Sequence, residues 1–204
     1  GKMRPLGIPT IADRVAQQVI ATELETIVEP RFHANSFGYR PNKSAHDALD
    51  KCRINCMKDS WGIDLDIKGF FDNIDHDLLL RAVAHHTDEK HILLYVKRWL
   101  EAPVKLKDGS LQNPNGKGTP QGGVISPVLA NIFMDIVFDK WLENEDASIE
   151  FERYADNIVV HCHNIKEALG LLAKIKQRLK DCKLELNQEK SKIVYCRRNQ
   201  KRQP

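Results

Sequence analysis

Apolar positions along the chain recur at two spacings, every third or fourth residue in some stretches and every second in others, and the two patterns alternate. Thr10-Ile11-Ala12-Asp13 has the Thr-x-x-acid form of a helix start, and Val15, Val19, Thr22 and Ile27 follow as a stripe near helical spacing until Pro30. Ser44-Ala45-His46-Asp47 opens a second helix with Ala45, Leu49, Cys52 and Cys56 as its stripe. The run around Asp64 reads as a strand. Helices are predicted from about Asp75, carried by Leu78, Leu79, Ala82 and Val83, and from Asp88 to Leu100. Between Val104 and Leu111, Lys107-Asp108-Gly109-Ser110 marks a hairpin turn, and Asn113 to Gly118 reads as a flexible loop. Pro127 to Leu142 is predicted as one helix. Two short strands then meet at Asp156-Asn157, residue types that suit the positive φ of a tight two-residue turn. Asn164 opens a helix whose apolar face is Leu169, Leu172, Ile175 and Leu179, and Ile193-Val194-Tyr195 is a last strand.

With the first two helices set aside, the order is strand, helix, hairpin, helix, strand. That is the βαββαβ order of a ferredoxin-like antiparallel sheet with helices on one face, and it predicts an α+β fold. The first strand would lie beside the hairpin, so Asp66 and Asp156 would meet on one sheet surface. Asp64 and Asp66, two apart on a strand, share a face, and such a pair is costly unless a cation compensates it.

Composition narrows the classes. A chain of 204 residues can bury a core as one domain or as two subdomains sharing a cleft. No apolar run approaches membrane-spanning length and no signal-peptide pattern opens the chain, so an intracellular, cytoplasmic protein without a membrane partner is expected. Five cysteines fit a reduced compartment. Cys52 and Cys56 lie one helical turn apart and His161-Cys162-His163 alternates along a strand, but neither has the paired spacing of a structural zinc site, and none is expected. The net charge is only +3, yet the stretch Lys190 to Arg202 is strongly basic and acidic residues gather near the strands around Asp66 and Asp156. Basic tails commonly touch nucleic acid.

Particular segments carry a resemblance. Tyr154-Ala155-Asp156-Asn157 resembles the Tyr-x-Asp-Asp box of reverse transcriptases with its last Asp replaced, and Asp66-Ile67-Lys68-Gly69-Phe70-Phe71-Asp72 resembles their first carboxylate segment. Arg4 to Thr10, Phe37 to Pro41, Pro120 to Pro127 and Leu186 to Lys192 are similar, in order, to blocks of group II intron-encoded reverse transcriptases. The match runs from the first residues to about Tyr195.

The resemblance implies a right-hand polymerase, fingers and palm, performing RNA-templated DNA synthesis. It implies two Mg²⁺ ions, with Mn²⁺ as the alternative, held by the carboxylates of Asp66 and Asp156, the carbonyl of Ile67 and, weakly, the amide of Asn157. Phe71 would sit under the sugar and exclude a 2′-hydroxyl; its alternative is a core position, because Phe70 and Phe71 adjoin. Gln121 and Gly122 would lie beside the incoming nucleotide, Lys2, Arg4 and Arg14 would pair with triphosphate oxygens, and Lys190 would neutralise or protonate pyrophosphate. Arg40 and Lys43 would follow the RNA backbone. Implied partners are an RNA template, a DNA primer, intron RNA and deoxynucleoside triphosphates.

Residues 1–60 are expected to form part of the fingers, 61–100 the first carboxylate segment of the palm, 101–125 a fingers/palm hairpin and loop, 126–196 the rest of the palm and 197–204 a basic tail. Upstream fingers sequence, a thumb and further RNA-binding domains are expected to be absent. Asn157 leaves a second reading open, a catalytically degenerate RNA-binding domain of a splicing maturase. A third class, cyclic-nucleotide synthesis on a ferredoxin-like palm, does not explain the Arg4 to Thr10 and Phe37 to Pro41 segments.

Overall fold

The computed structural model of the chain describes residues 7–106, 108–119 and 122–196. Two compact units interleave along the sequence, Gly1–Phe32 with Gly69–Ile136, and His33–Lys68 with Val137–Pro204.

In the first unit, helix α1 (Ile11–Val28) starts where expected, with the Asp13 amide donating to Thr10 Oγ1. Its buried face is not the stripe through Val15 and Val19, which are 61% and 53% exposed; it runs through Gln17, Ile20, Ala21, Leu24 and Val28. The one polar member of that face is satisfied, because Gln17 Oε1 accepts the Val124 amide at 2.8 Å. After the short α3 (Phe70–Asn73), α4 (His76–His86) packs on α5 (Lys90–Glu101) and on α6 (Ser126–Met134), where apolar residues occupy nearly the whole circumference. The hairpin β2 (Val104–Lys105) and β3 (Leu111–Gln112) turns through Gly109 at φ 87°. The following loop is paired at its far end. Lys117 bridges Asp75, the Gly118 amide donates to Ile74 O and the Thr119 amide to Phe71 O.

The second unit holds α2 (Ala45–Lys58), β1 (Trp61–Asp66), α7 (Lys140–Glu145), β4 (Phe151–Tyr154), β5 (Asn157–Cys162), α8 (Ile165–Asp181) and β6 (Lys192–Tyr195). Its sheet has the order β4-β5-β1-β6, all antiparallel, which is the ferredoxin-like arrangement with the first strand at the centre. One sheet face presents Ile63, Leu65, Ile158, Val160 and Phe151, each no more than 1% exposed. The other presents Gly62, Asp64 and Asp66 opposite His161, Val159 and Asn157.

Three periodicities fall differently from expectation. α2 buries Ala48 and Asn55 while Leu49 is exposed, and α8 buries Ala168, Leu171, Ile175 and Leu179 while Leu169 is exposed, a rotation of about one residue in each case. The helix expected over Pro127 to Leu142 is interrupted by a π-helical turn, Asp135–Asp139, between α6 and α7. That wider turn carries two acids with no exposed surface, Asp135 and Asp139, and π turns of this kind often mark sites with a specific task.

Candidate active site

Asp66 ends β1 directly opposite Asn157, the first residue of β5. The hairpin turn is therefore Ala155-Asp156, between the paired residues Tyr154 and Asn157, rather than Asp156-Asn157. Positive φ falls on Ala155 (57°), and Asn157 is an extended strand residue. The register leaves Asp66 one step from the turn that displays Asp156, and both carboxylates are partly exposed.

Around Asp66 the backbone is tied on one side to the segment before β6. The Asn187 amide donates to Asp66 O at 2.8 Å, the Asp66 amide donates to Ser191 Oγ at 3.1 Å, and the Lys68 amide donates to Glu185 O. Ile67 bridges Leu186 between those bonds, so its own N–H and C=O are directed to the opposite side of β1, where β5 lies. The paired acids on this strand find their compensating cations in lysines. Lys190 Nζ lies 3.2 Å from Asp66 Oδ2 and Lys192 Nζ lies 3.8 Å from Asp64 Oδ2.

The hairpin is held from its apolar face. Arg153 lies on the same face as Phe151 and has no exposed surface. Its Nε and Nη2 donate to Asp139 Oδ1 and Oδ2 at 2.7 and 2.6 Å, a bidentate pair, and Nη1 donates to Ala155 O at 3.2 Å, inside the turn. On the outer edge, the Phe37 amide donates to Arg153 O and the Arg153 amide to Asn35 O. Gly38 then passes so close that a Cβ there would stand 2.5 Å from the Ala155 nitrogen. Nothing flexible can yield at that contact, because the neighbour is backbone. Gly38→Ala is expected to displace the turn carrying Asp156 and to destabilise the chain by about 1–3 kcal/mol. Chemical denaturation together with backbone amide shifts at Ala155 and Asp156 would measure this; an unchanged midpoint and unchanged shifts would show that the turn has room.

The remaining residues predicted from sequence are placed as follows. Arg40 Nη1 donates to His33 O and Ser36 O, both at 2.7 Å, and Lys43 donates to Ala34 O and sits 4.7 Å over the Phe37 ring, so both cations order their own loop. In the first unit Phe70 takes the core position at 2% exposure, which leaves Phe71 half-buried against it, edge to face at 5.3 Å. Gly122 has φ 97°, and Arg14 is exposed. Lys2, Arg4, Gln121 and the basic tail lie outside the described residues.

Arg153, Asp139, Gly38 and Ser191 were not anticipated. Gly38 and Ser191 do lie in the recognised blocks, and an arginine alternating with Phe151 on an apolar face is a visible demand for a buried acid.

Comparison with known proteins identifies the family and the fold. Residues 1–203 match the family model described as reverse transcriptase (RNA-dependent DNA polymerase). The chain is 35% identical over 197 residues to the group II intron-encoded protein LtrA of Lactococcus lactis subsp. cremoris, covering 95% of this chain and 31% of that protein. It is 35% identical to protein YkfC of Escherichia coli over 70% of this chain and 38% of that one. The chain thus spans about a third of the length of these relatives. Among solved structures, telomerase from Candida tropicalis in complex with a fragment of telomeric RNA superposes with a TM-score of 0.68 at 16% identity, over 90% of this chain and 33% of that one, a likeness of fold.

Proposed function

Because the chain belongs to the reverse transcriptase (RNA-dependent DNA polymerase) family, we propose that it is the fingers and palm portion of a group II intron reverse transcriptase/maturase whose nucleotidyl transfer is impaired by Asn157. Supporting this most directly is the sheet register, which sets Asp66 beside the turn of Asp156 at one end of a ferredoxin-like sheet. In this reading residues 61–100 and 126–196 supply the palm, and 1–60 and 101–125 contribute to the fingers.

The donor set suits a hard cation. Two carboxylates at partly exposed positions, the Ile67 carbonyl directed to the β5 side and the Asn157 amide oxygen would together hold two Mg²⁺ ions. When bound, such ions lower the pKa of a primer 3′-hydroxyl and take up charge on the phosphorus and on departing pyrophosphate. The Asp66 carboxylate projects from a backbone whose carbonyl accepts from the Asn187 amide and whose amide donates to Ser191 Oγ. Lys190, now on Asp66, can turn to the triphosphate and supply positive charge or a proton. Asn157 offers an oxygen but no charge, so it binds a divalent ion weakly and leaves the hydroxyl less acidified. Roles for Phe71 against the 2′-hydroxyl, for Gln121 and Gly122 at the nucleotide, for Lys2 and Arg4 at its phosphates and for Arg40 and Lys43 at RNA rest on the block resemblance.

Asn157 also favours a second reading, an intron-binding maturase domain whose polymerase site has decayed. The discriminating experiment is primer extension on an RNA template with deoxynucleoside triphosphates and Mg²⁺. It compares the chain, Asn157→Asp, and Asn157→Asp combined with Asp66→Asn. Weak synthesis, a gain, and loss of the gain are expected in that order. A gain that survives Asp66→Asn would remove Asp66 from the site, and no gain at all would favour the second reading.

RNA binding by this chain is expected to be carried by phosphates and to be weak, since the net charge is small and Arg40 and Lys43 are engaged with their own loop. Single-strand affinity should then fall with salt at a slope of roughly 0.7 per phosphate contact, with little dependence on template sequence. Salt-independent, selective binding of one RNA structure would point to a dedicated recognition surface.

A further inference from the structure

The face of the sheet that carries Asp66 holds a second cluster at its other end, four residues back along β1 and so about 13 Å away. It lies in the second unit and plays no part in the proposed polymerase chemistry. Gly62, directly opposite His161, has no side chain, and the space beside it is taken by the Cys196 sulfur at van der Waals distance. Over this surface lies α2, which contributes Cys52 and Cys56.

We propose that Cys52, Cys56 and His161, with Cys196 as fourth ligand, form a structural zinc site joining α2 to β5 and to the residue after β6. The three first-named ligand atoms lie within 4.8 Å of one another. The sulfurs of Cys52 and Cys56 are 4.0 Å apart, and those of Cys56 and Cys196 are 3.5 Å apart. Sulfurs bound at 2.3 Å to a tetrahedral centre stand about 3.8 Å from each other, midway between those values, whereas a disulfide requires about 2.05 Å.

His161 supplies the independent observation. It is 2% exposed, its Nε2 is 2.7 Å from Glu152 Oε2, and its Nδ1 is buried with no hydrogen-bond partner. A neutral ring that donates its Nε2–H in a hydrogen bond to a carboxylate carries a lone pair on Nδ1. Buried polar atoms of this kind are rare without a partner. The other Glu152 oxygen accepts from Asn55 Nδ2 at 2.6 Å, one residue from Cys56 on the same helix. This carboxylate–histidine relay is what fixes ring orientation behind a metal ligand. Because thiols bind zinc as thiolates, metal uptake exchanges one Zn²⁺ for the protons of Cys52, Cys56 and Cys196.

Sequence spacing did not anticipate this site. Zinc motifs are recognised by ligands paired on one local turn, and here the ligands come from a helix, a strand and a strand end far apart in the chain. Cys52-x-x-x-Cys56 and His161-Cys162-His163 were local traces, each with ligand types but without the paired spacing.

The test uses the whole chain. Purified after expression in zinc-containing medium and desalted, it should retain about one zinc per chain. The metal-free chain titrated with Co²⁺ should develop the intense visible and near-ultraviolet bands of a tetrahedral thiolate complex. Cys56→Ser and His161→Ala should lose those bands, Glu152→Gln should weaken Co²⁺ affinity about 10–100-fold, and Cys182→Ser should change nothing. Should Cys56→Ser fail to fold, alkylation of the unsubstituted chain decides. Zinc should shield Cys52, Cys56 and Cys196 from maleimide, and a chelator should expose them. No retained zinc with a pale octahedral Co²⁺ spectrum, or a Cys56–Cys196 disulfide in a chain that takes up no metal, would overturn the proposal.

Discussion

Asn157→Asp should raise Mg²⁺-dependent primer extension on an RNA template by on the order of a hundredfold. The substitution changes one atom's identity and adds a full negative charge beside two carboxylates, at an exposed strand position where side-chain volume is nearly unchanged. Folding should register the charge and little else. Asn157 stands directly opposite Asp66, so without divalent ions the added like charge should cost about 0.2–1 kcal/mol, and Mg²⁺ should restore the midpoint. Thermal melts with and without Mg²⁺ would therefore report metal affinity independently of turnover. Extension that is already fast with Asn157, or a melting midpoint in the Asp variant that ignores Mg²⁺, would remove this residue from the proposed metal site.

Arg153→Ala should destabilise the second unit by about 3–5 kcal/mol, because it leaves the Asp139 carboxylate buried without its bidentate partner. Both side chains have no exposed surface. Replacing the two together, Arg153→Met with Asp139→Leu, should cost far less, since no charge is then stranded. Polymerase activity should not follow stability in that double variant. The Arg153 Nη1 bond to Ala155 O is lost in both variants, so the turn bearing Asp156 should loosen in each, and amide exchange at Ala155 and Asp156 should quicken in each. Urea unfolding that gives less than about 1 kcal/mol for Arg153→Ala would mean the pair behaves like an exposed one.

What could be read from the chain depended on how local each determinant is. Helix starts at Thr10, Ser44 and Asn164 were legible because the capping side chain and its amide lie three residues apart, and all three caps are formed. The sheet order followed from the succession of elements. Helix faces were harder. α1 offers apolar residues on two sides, and the buried side is the one whose Gln17 bonds the Val124 amide, a contact across a hundred residues. The turn at Ala155-Asp156 was shifted by one because residue types allowed either register, while β-pairing with β1 admits only one. In the proposed site, Asp66 and Asp156 stood out as acids among apolar neighbours. Asp139 did not, since nothing in a run of acids along a predicted helix shows which one a buried arginine will claim, and the π turn that brings it there has no sequence period of its own.

The central place of β1 has a consequence for how the protein is made. Both of its neighbours, β5 and β6, are synthesised long after it, since Trp61 pairs with Cys162 and with Tyr195. While the first unit's helices emerge, β1 waits with both edges unpaired, and a strand in that position is a template for association with other nascent chains. Asp64 and Asp66 alternate with Ile63, Leu65 and Ile67, which keeps the waiting strand from presenting an uninterrupted apolar ribbon. The carboxylate proposed for catalysis is thus also expected to guard the strand during translation. An Asp66→Leu change would be expected to reduce soluble yield as well as activity.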